Sequence, residues 1–358
     1  MSCSRHPLSR VRVLASLLLA LVAFAARAQV IQPPYDTVYT LTDLGTIANL
    51  PTPYGGLDFA AGNPNAIIIG GAANSPSGQL FSVNVVRDSQ NHIVGFSGGA
   101  TLHSDGAFND GGVVFGPGGV LFYTRFPTNE VGEVKPGSTI TDKVVDLTPL
   151  GVLGPVSARP LNRPQAPTGA ASSVGALNFV PAGLPGAGQL KIVSYDTGNW
   201  YTAAYSADGS GTYNITSAVL NTTIVGGPEG FIYVPTGSPV FATHSMLVSE
   251  YENDVVTTYQ FDGSGNPNTG TRAVFISGLT GAEGAVIDPL SGDFLFSTFG
   301  AVNHVIVVRG FAIPVTPTPG PPPPPQTAQV PTLTSPVLAL LGLALAVVAV
   351  LVIVTRRS

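Results

Sequence analysis

The sequence predicts an all-β chain, a β-propeller of five blades with six left open, on three observations. A glycine-led apolar segment recurs five times between residues 29 and 312, 43 Gly and 32 Pro punctuate the 358 residues, and only 10% of side chains are charged. Frequent Gly and Pro favour many short elements joined by turns, and so little charge is foreign to long exposed helices. Nucleic acid is excluded as a partner, because 15 Lys+Arg against 20 Asp+Glu leave no basic excess to neutralise phosphates.

In chain order, residues 1–28 read as a secretory signal peptide. Arg5, Arg10 and Arg12 give a positive start, Val13 to Ala25 an apolar run, and Ala26-Arg27-Ala28 a small-x-small cleavage site before Gln29. The alternative, an uncleaved anchor, has too short an apolar run for a membrane span. The only cysteine, Cys3, lies inside this segment. A cleaved chain therefore has no disulfide and no thiolate metal site, so burial must stabilise it.

Residues 29–312 carry the repeat. Its copies are Gly56-Leu57-Asp58-Phe59, Gly112-Val113-Val114-Phe115, Gly175-Ala176-Leu177-Asn178-Phe179, Gly230-Phe231-Ile232-Tyr233 and Gly284-Ala285-Val286-Ile287, with leading glycines 56, 63, 55 and 54 residues apart. Tyr205-x-x-Asp208-Gly209-Ser210-Gly211 recurs as Tyr259-x-x-Asp262-Gly263-Ser264-Gly265. Such residues between β-rich runs read as hairpin connections. The fourth unit divides into four strands: Phe231–Val234, Met246–Ser249, Val255–Phe261 and Thr271–Ile276. Four-stranded units at this period predict propeller blades. The fifth unit stops after Val305–Val308, and Val38–Leu44 at the other end of the region can supply its missing strand, closing the ring and covering two edges. Thr139 to Ser173 is long and poorly patterned, which keeps a sixth blade open; a β-sandwich is the rival, but it does not by itself predict five similar units.

Residues 313–329 form a Pro-rich linker, a polyproline II stalk. After it, residues 337–354 run 18 positions without a charge, just long enough to cross a bilayer core, before Arg356 and Arg357, which favour a cytoplasmic end. Val330-Pro331-Thr332-Leu333 stands directly before that helix. Motif, apolar helix and basic tail together resemble the IPTL-type C-terminal sorting domain, a relative of PEP-CTERM signals. Thr334 stands where that family usually has serine, and Ser335-Pro336 replaces its acidic-Trp pair. The resemblance implies an exosortase-type processing enzyme as partner, a membrane-anchored stage, and a final place in the cell envelope or outside the cell. Four Lys+Arg leave with the signal and two with the tail, so the exported part keeps nine basic groups against 20 acidic ones.

The candidate chemistry lies in that acidic part. Glu229 and Glu283 precede the leading glycine in neighbouring repeats, and Asp110 precedes Gly111-Gly112 in a comparable place. On innermost strands the three would converge near one mouth of the central channel, where carboxylates suit Ca²⁺ or another divalent cation, or a general base. The competing reading is architectural: each acid accepts backbone N–H groups where the chain enters its blade. The Glu-Gly-apolar start resembles NHL-like and lactonase-like propellers, some with an axial metal, which implies a metal-dependent hydrolase as the alternative function. Gly95-Phe96-Ser97-Gly98-Gly99 matches a hydrolase elbow, but no helical period follows it. The Asp-Gly-Ser-Gly turns lack EF-hand spacing, and His92, His103, His244 and His304 form no zinc-protease pair. Tyr195, Trp200, Tyr201 and Tyr205 offer either a sugar-stacking surface or blade packing. The leading expectation is an exported binding module for a protein, glycan or matrix polymer.

Overall fold

The computed structural model describes residues 29–152 and 173–314. The signal peptide, the linker beyond residue 314, the sorting motif Val330–Leu333, the 337–354 helix and Arg356–Arg357 lie outside the described residues, as do Ala26 and Ala28. Among the described residues the only helices are single 3₁₀ turns, and no helix is long and apolar enough to cross a membrane.

After β1 (Val30–Ile31) and β2 (Thr40–Asp43), the strands form five antiparallel sheets. Blade 1 is β3 (Tyr54–Ala60), β4 (Asn63–Gly71), β5 (Gln79–Arg87) and β6 (Ile93–Asp105). Blade 2 is β7 (Asn109–Phe115), β8 (Leu121–Arg125), β9 (Glu130–Val134) and β10 (Lys143–Asp146). Blade 3 is β11 (Val174–Phe179), β12 (Leu190–Ser194), β13 (Asn199–Ala207) and β14 (Tyr213–Thr223). Blade 4 holds β15 (Pro228–Tyr233), β16 (Ser245–Glu250), β17 (Val255–Gln260) and β18 (Ala273–Ser277), with β1 added at its outer edge. Blade 5 holds β19 (Ala282–Ile287), β20 (Phe294–Thr298) and β21 (Val305–Arg309), and β2 supplies its fourth strand.

The protein is thus a five-bladed β-propeller. The first strand of each blade packs on its counterparts in the neighbouring blades, and β19 returns to β3 to close the ring. Both faces of a blade are covered, so inner strands such as β15 and β16 are buried throughout, whereas outermost β6 and β14 are largely exposed or half-buried. Five apolar clusters fill the joints between blades, for example Phe122, Leu177, Ile192 and Tyr201 between blades 2 and 3. Polar clips add to them. Arg87 of blade 1 pairs with the wholly buried Asp288 after β19, and Thr124 Oγ1 of blade 2 donates to the Gly175 carbonyl of blade 3 at 2.9 Å.

Candidate axial cation site

Every innermost strand breaks its register near its start. The irregularity falls between Tyr54 and Leu57, Asn109 and Val113, Val174 and Ala176, Pro228 and Gly230, and Ala282 and Ala285. A bulge re-aims the side chain at its extra position. Glu229 and Glu283 sit on such positions. The break in β7 is longer by one residue, holding Asp110, Gly111 and Gly112, and this brings Asp110 beside the two glutamates although it stands one position further from its glycine. The glycines allow the inner strands to meet backbone to backbone. A Cβ on Gly111 would fall 1.7 Å from the Glu229 carbonyl oxygen, and one on Gly230 would fall 2.3 Å from that of Glu283.

One oxygen from each of Asp110, Glu229 and Glu283 lies within 4.8 Å of the others. The residues are only 0%, 5% and 1% exposed, so they lie inside the axis and not at an open mouth. Among the described residues no hydrogen bond of ordinary geometry reaches either Asp110 carboxylate oxygen, Glu229 Oε2 or Glu283 Oε1. Among the described residues no Lys, Arg or His forms an ion pair with any of them. Burial lifts the Asp110 pKa to about 7, although the Glu229 carboxyl, the Asn74 amide and the Gly111 N–H lie close enough to draw it back. Glu229 and Glu283 rise well above the ordinary carboxylate range, through burial first and then through the charge of Asp110. Three close carboxyls with so few donors can be held either by shared protons or by a cation.

The architectural reading does not account for the oxygens named, which among the described residues accept no backbone hydrogen bond of ordinary geometry, although the Gly111 N–H lies close to Asp110. The donor set fits a hard cation. It is all oxygen, and a single Ca²⁺ with bonds of ~2.4 Å spans oxygens up to about 4.8 Å apart.

Sequence reasoning missed Asn74. It follows β4 in a left-handed conformation (φ 59°), its N–H donates to the Asn109 carbonyl at 2.9 Å, and its Oδ1 is buried without a partner. Also missed was a collar on the same face. The residue after the second strand of blades 2 to 5 is Phe126, Tyr195, Tyr251 and Phe299, all half-buried. Successive ring centroids lie 5.6, 6.0 and 5.9 Å apart at interplanar angles of 82°, 72° and 74°. A Cβ on Gly175 would lie within 3.1 Å of both Glu229 Oε2 and Tyr195 Cβ, so the collar sits directly beside the acids. Unequal spacing along the chain hides the collar from a sequence reading, which singled out only Tyr195 of its four residues.

The remaining candidates separate from the site. Ser97 is exposed in outermost β6 with no helix after it. His92 and His304 pair with Asp293 and Asp43. Trp200 and Tyr201 are blade core at 0% and 3% exposure. Asp208 and Asp262 accept the N–H of Ser210 and Ser264 inside their own turns, each at 2.8 Å.

No protein-family model and no curated protein matches the chain. Solved structures similar to it include a Bacteroides uniformis protein provisionally named a 6-phosphogluconolactonase, at 13% identity over 77% of this chain and 71% of that one (TM-score 0.41). Others are the PQQ domain of a pyranose dehydrogenase from Coprinopsis cinerea, at 8% over 79% and 97% (0.43), and an auxiliary nutrient binding protein from Bacteroides ovatus, at 10% over 76% of each (0.39). Likeness at this level assigns neither ligand nor activity.

Proposed function

We propose that this protein is an exported β-propeller binding module, displayed at the cell envelope, whose axis is locked by a divalent cation of the Ca²⁺ class. One observation carries the cation: three buried carboxylates share a space in which, among the described residues, four of their oxygens take no hydrogen bond of ordinary geometry and no basic residue pairs with them. Asp110, Glu229 and Glu283 hold it, and its charge offsets the repulsion among them. Because the acids come from blades 2, 4 and 5, the ion ties together three sheets whose inner strands meet at the axis through glycine backbones. The loops around it then present a fixed face to a protein, glycan or matrix polymer. Display follows from the two ends: the signal-like start, the proline stalk and the sorting-like tail. Replacing Pro331 or Leu333 is expected to change the mass or location of the mature protein in its native host.

The cation is tested by metal analysis of the purified full chain and by thermal shift. Ca²⁺ at 100 times its Kd stabilises a one-site protein by about 2.7 kcal/mol. Glu229→Gln and Glu283→Gln are expected to abolish that response, and absence of both metal and shift in the wild type would overturn it. The hydrolase reading shares the same ion but requires a substrate carbonyl to reach it. The slight exposure of Glu229 favours that reading, and the burial of Asp110 and Glu283 opposes it. Turnover of a simple lactone, lost in Glu229→Gln, would establish the enzyme.

A further inference from the structure

A cleft of about 380 Å³ opens at the joint between blades 1 and 2, lined in part by Arg125, the residue before Phe126 of the collar. Sites for small ligands run from about 300 to 1,000 Å³. Five polar side chains meet in it: Ser77 after β4, Gln79 at the start of β5, Asp105 at the end of β6, Arg125 at the end of β8, and Thr141 before β10. Gln79 and Asp105 are partners across β5 and β6, so their side chains leave the sheet side by side on one face. The walls are fixed by their own hydrogen bonds. Phe108 N–H donates to the Ser75 carbonyl at 2.7 Å, Asp105 N–H to Thr139 at 3.0 Å, and Arg125 Nε to Ala107 at 3.0 Å. Glu130 pairs with Arg125 at 2.7 Å, and the Phe108 ring centroid lies 5.6 Å from the guanidinium carbon. Phe108 holds left-handed backbone at φ 63°, a strained conformation for an aromatic residue, and its effect is to hold that guanidinium still.

We propose that this cleft is a carbohydrate subsite, which takes one neutral hexose unit of a glycan. It deepens and rests on the binding-module reading above, and it needs no axial cation. Asp105 offers two acceptor oxygens and Gln79 beside it both donates and accepts, which is what adjacent hydroxyls of a sugar ring require. Tyr123 OH lies 2.7 Å from Thr141 Oγ1, and with the tyrosine donating, the threonine proton is free for a sugar oxygen. Arg125 adds fixed donors for a ring or hydroxyl oxygen. Other ligand classes fit less well. Among the described residues Arg125 is the only cation lining the cleft, it is already paired with Glu130, and Asp105 shares the space, so a phosphate meets no net positive charge. An apolar ligand finds no aromatic ring there and no aliphatic side chain larger than that of Val144.

Saturation-transfer NMR tests the subsite on the full chain, held in a detergent without a sugar headgroup. The probes are the methyl glycosides of glucose, galactose, mannose and N-acetylglucosamine. At least one is expected to bind, with a Kd of about 1 mM for a single sugar unit. Asp105→Ala and Gln79→Ala should each weaken that binding about tenfold. Arg125→Lys, which keeps the charge and loses the planar fork, should weaken it by about as much. Val219→Ser, on the exposed part of β14, should leave it unchanged. Asp105 is exposed and Gln79 half-buried, so their truncation leaves the core intact, and these two variants decide should Arg125→Lys fail to fold. Wild-type affinity in both Asp105→Ala and Gln79→Ala would overturn the cleft while leaving a glycan-binding module. Silence from all four probes would overturn the sugar class and leave the module to a protein partner. Binding of inorganic phosphate that is lost in Arg125→Lys would overturn it in favour of an anion site.

Discussion

Asp58 and Asn178 each stand between Leu and Phe on the inner strands of blades 1 and 3, and what faces them explains why they differ. Asp58 Oδ2 accepts the Phe115 N–H of blade 2 at 2.7 Å and Oδ1 accepts its neighbour Phe59 N–H, so both positions require acceptors. Asn178 Nδ2 donates to the Phe231 carbonyl of blade 4 at 2.9 Å while its Oδ1 accepts the Phe179 N–H. Asp58→Asn is therefore expected to destabilise, by about 1–2 kcal/mol in denaturant unfolding, because an amide NH₂ would meet another N–H, that of Phe115 or of Phe59. Trp200, fully buried 4.4 Å from the Phe231 ring, should cost about 4 kcal/mol when cut to Ala. Residue identity made the acids visible in the sequence, since Glu229 and Glu283 stand beside the repeat's own glycines. Asn74 carried no such mark, because its place depends on a left-handed turn and on Asp110 arriving from another blade.

Elements were more legible than their joints. The strands expected in the fourth unit appear within a few residues of their places, because alternating β-branched runs bounded by Gly, Pro and Asp leave few other registers. Two-residue β1 was not foreseen: it is too short to show a period, and only its partner β18 makes it a strand. The bulges were equally hidden. An extra residue in β7 is a property of the pairing with β8, so sequence spacing put Asp110 in a comparable place without showing the bulge that brings it to the glutamates. The bulge glycines test this joint. Gly111→Ala and Gly230→Ala put a Cβ against backbone carbonyls at 1.7 and 2.3 Å, and each is expected to lower stability by about 3 kcal/mol. Ala at Gly263 meets nothing within 4 Å, so a comparable loss there would point to a general intolerance and not to axial crowding.

Carboxyls drawn away from water recur across the whole molecule. Asp58, Asp110 and Glu133 all have pKa values raised to about 7, with burial the largest cause in each. A carboxyl that holds its proton more tightly when folded adds stability that is complete below about pH 4 and lost as pH rises through about 7. In chelator the Tm is accordingly expected to fall between pH 4 and pH 8. Saturating Ca²⁺ should flatten the part due to the axial acids, because the ion favours their charged forms. A Tm that climbs across this range would show that these groups are already ionised in the folded state.

The expectation that Val38–Leu44 fills the last blade needed only a missing strand at one end and a spare one at the other. In the structure Asp43 pairs with Ile306 and Thr40 with Arg309. A nascent chain must therefore wait until residue 309 has left the ribosome before β2 finds its permanent neighbour. Until then blade 5 is an unsealed wedge, and the four blades before it form an arc with two raw ends.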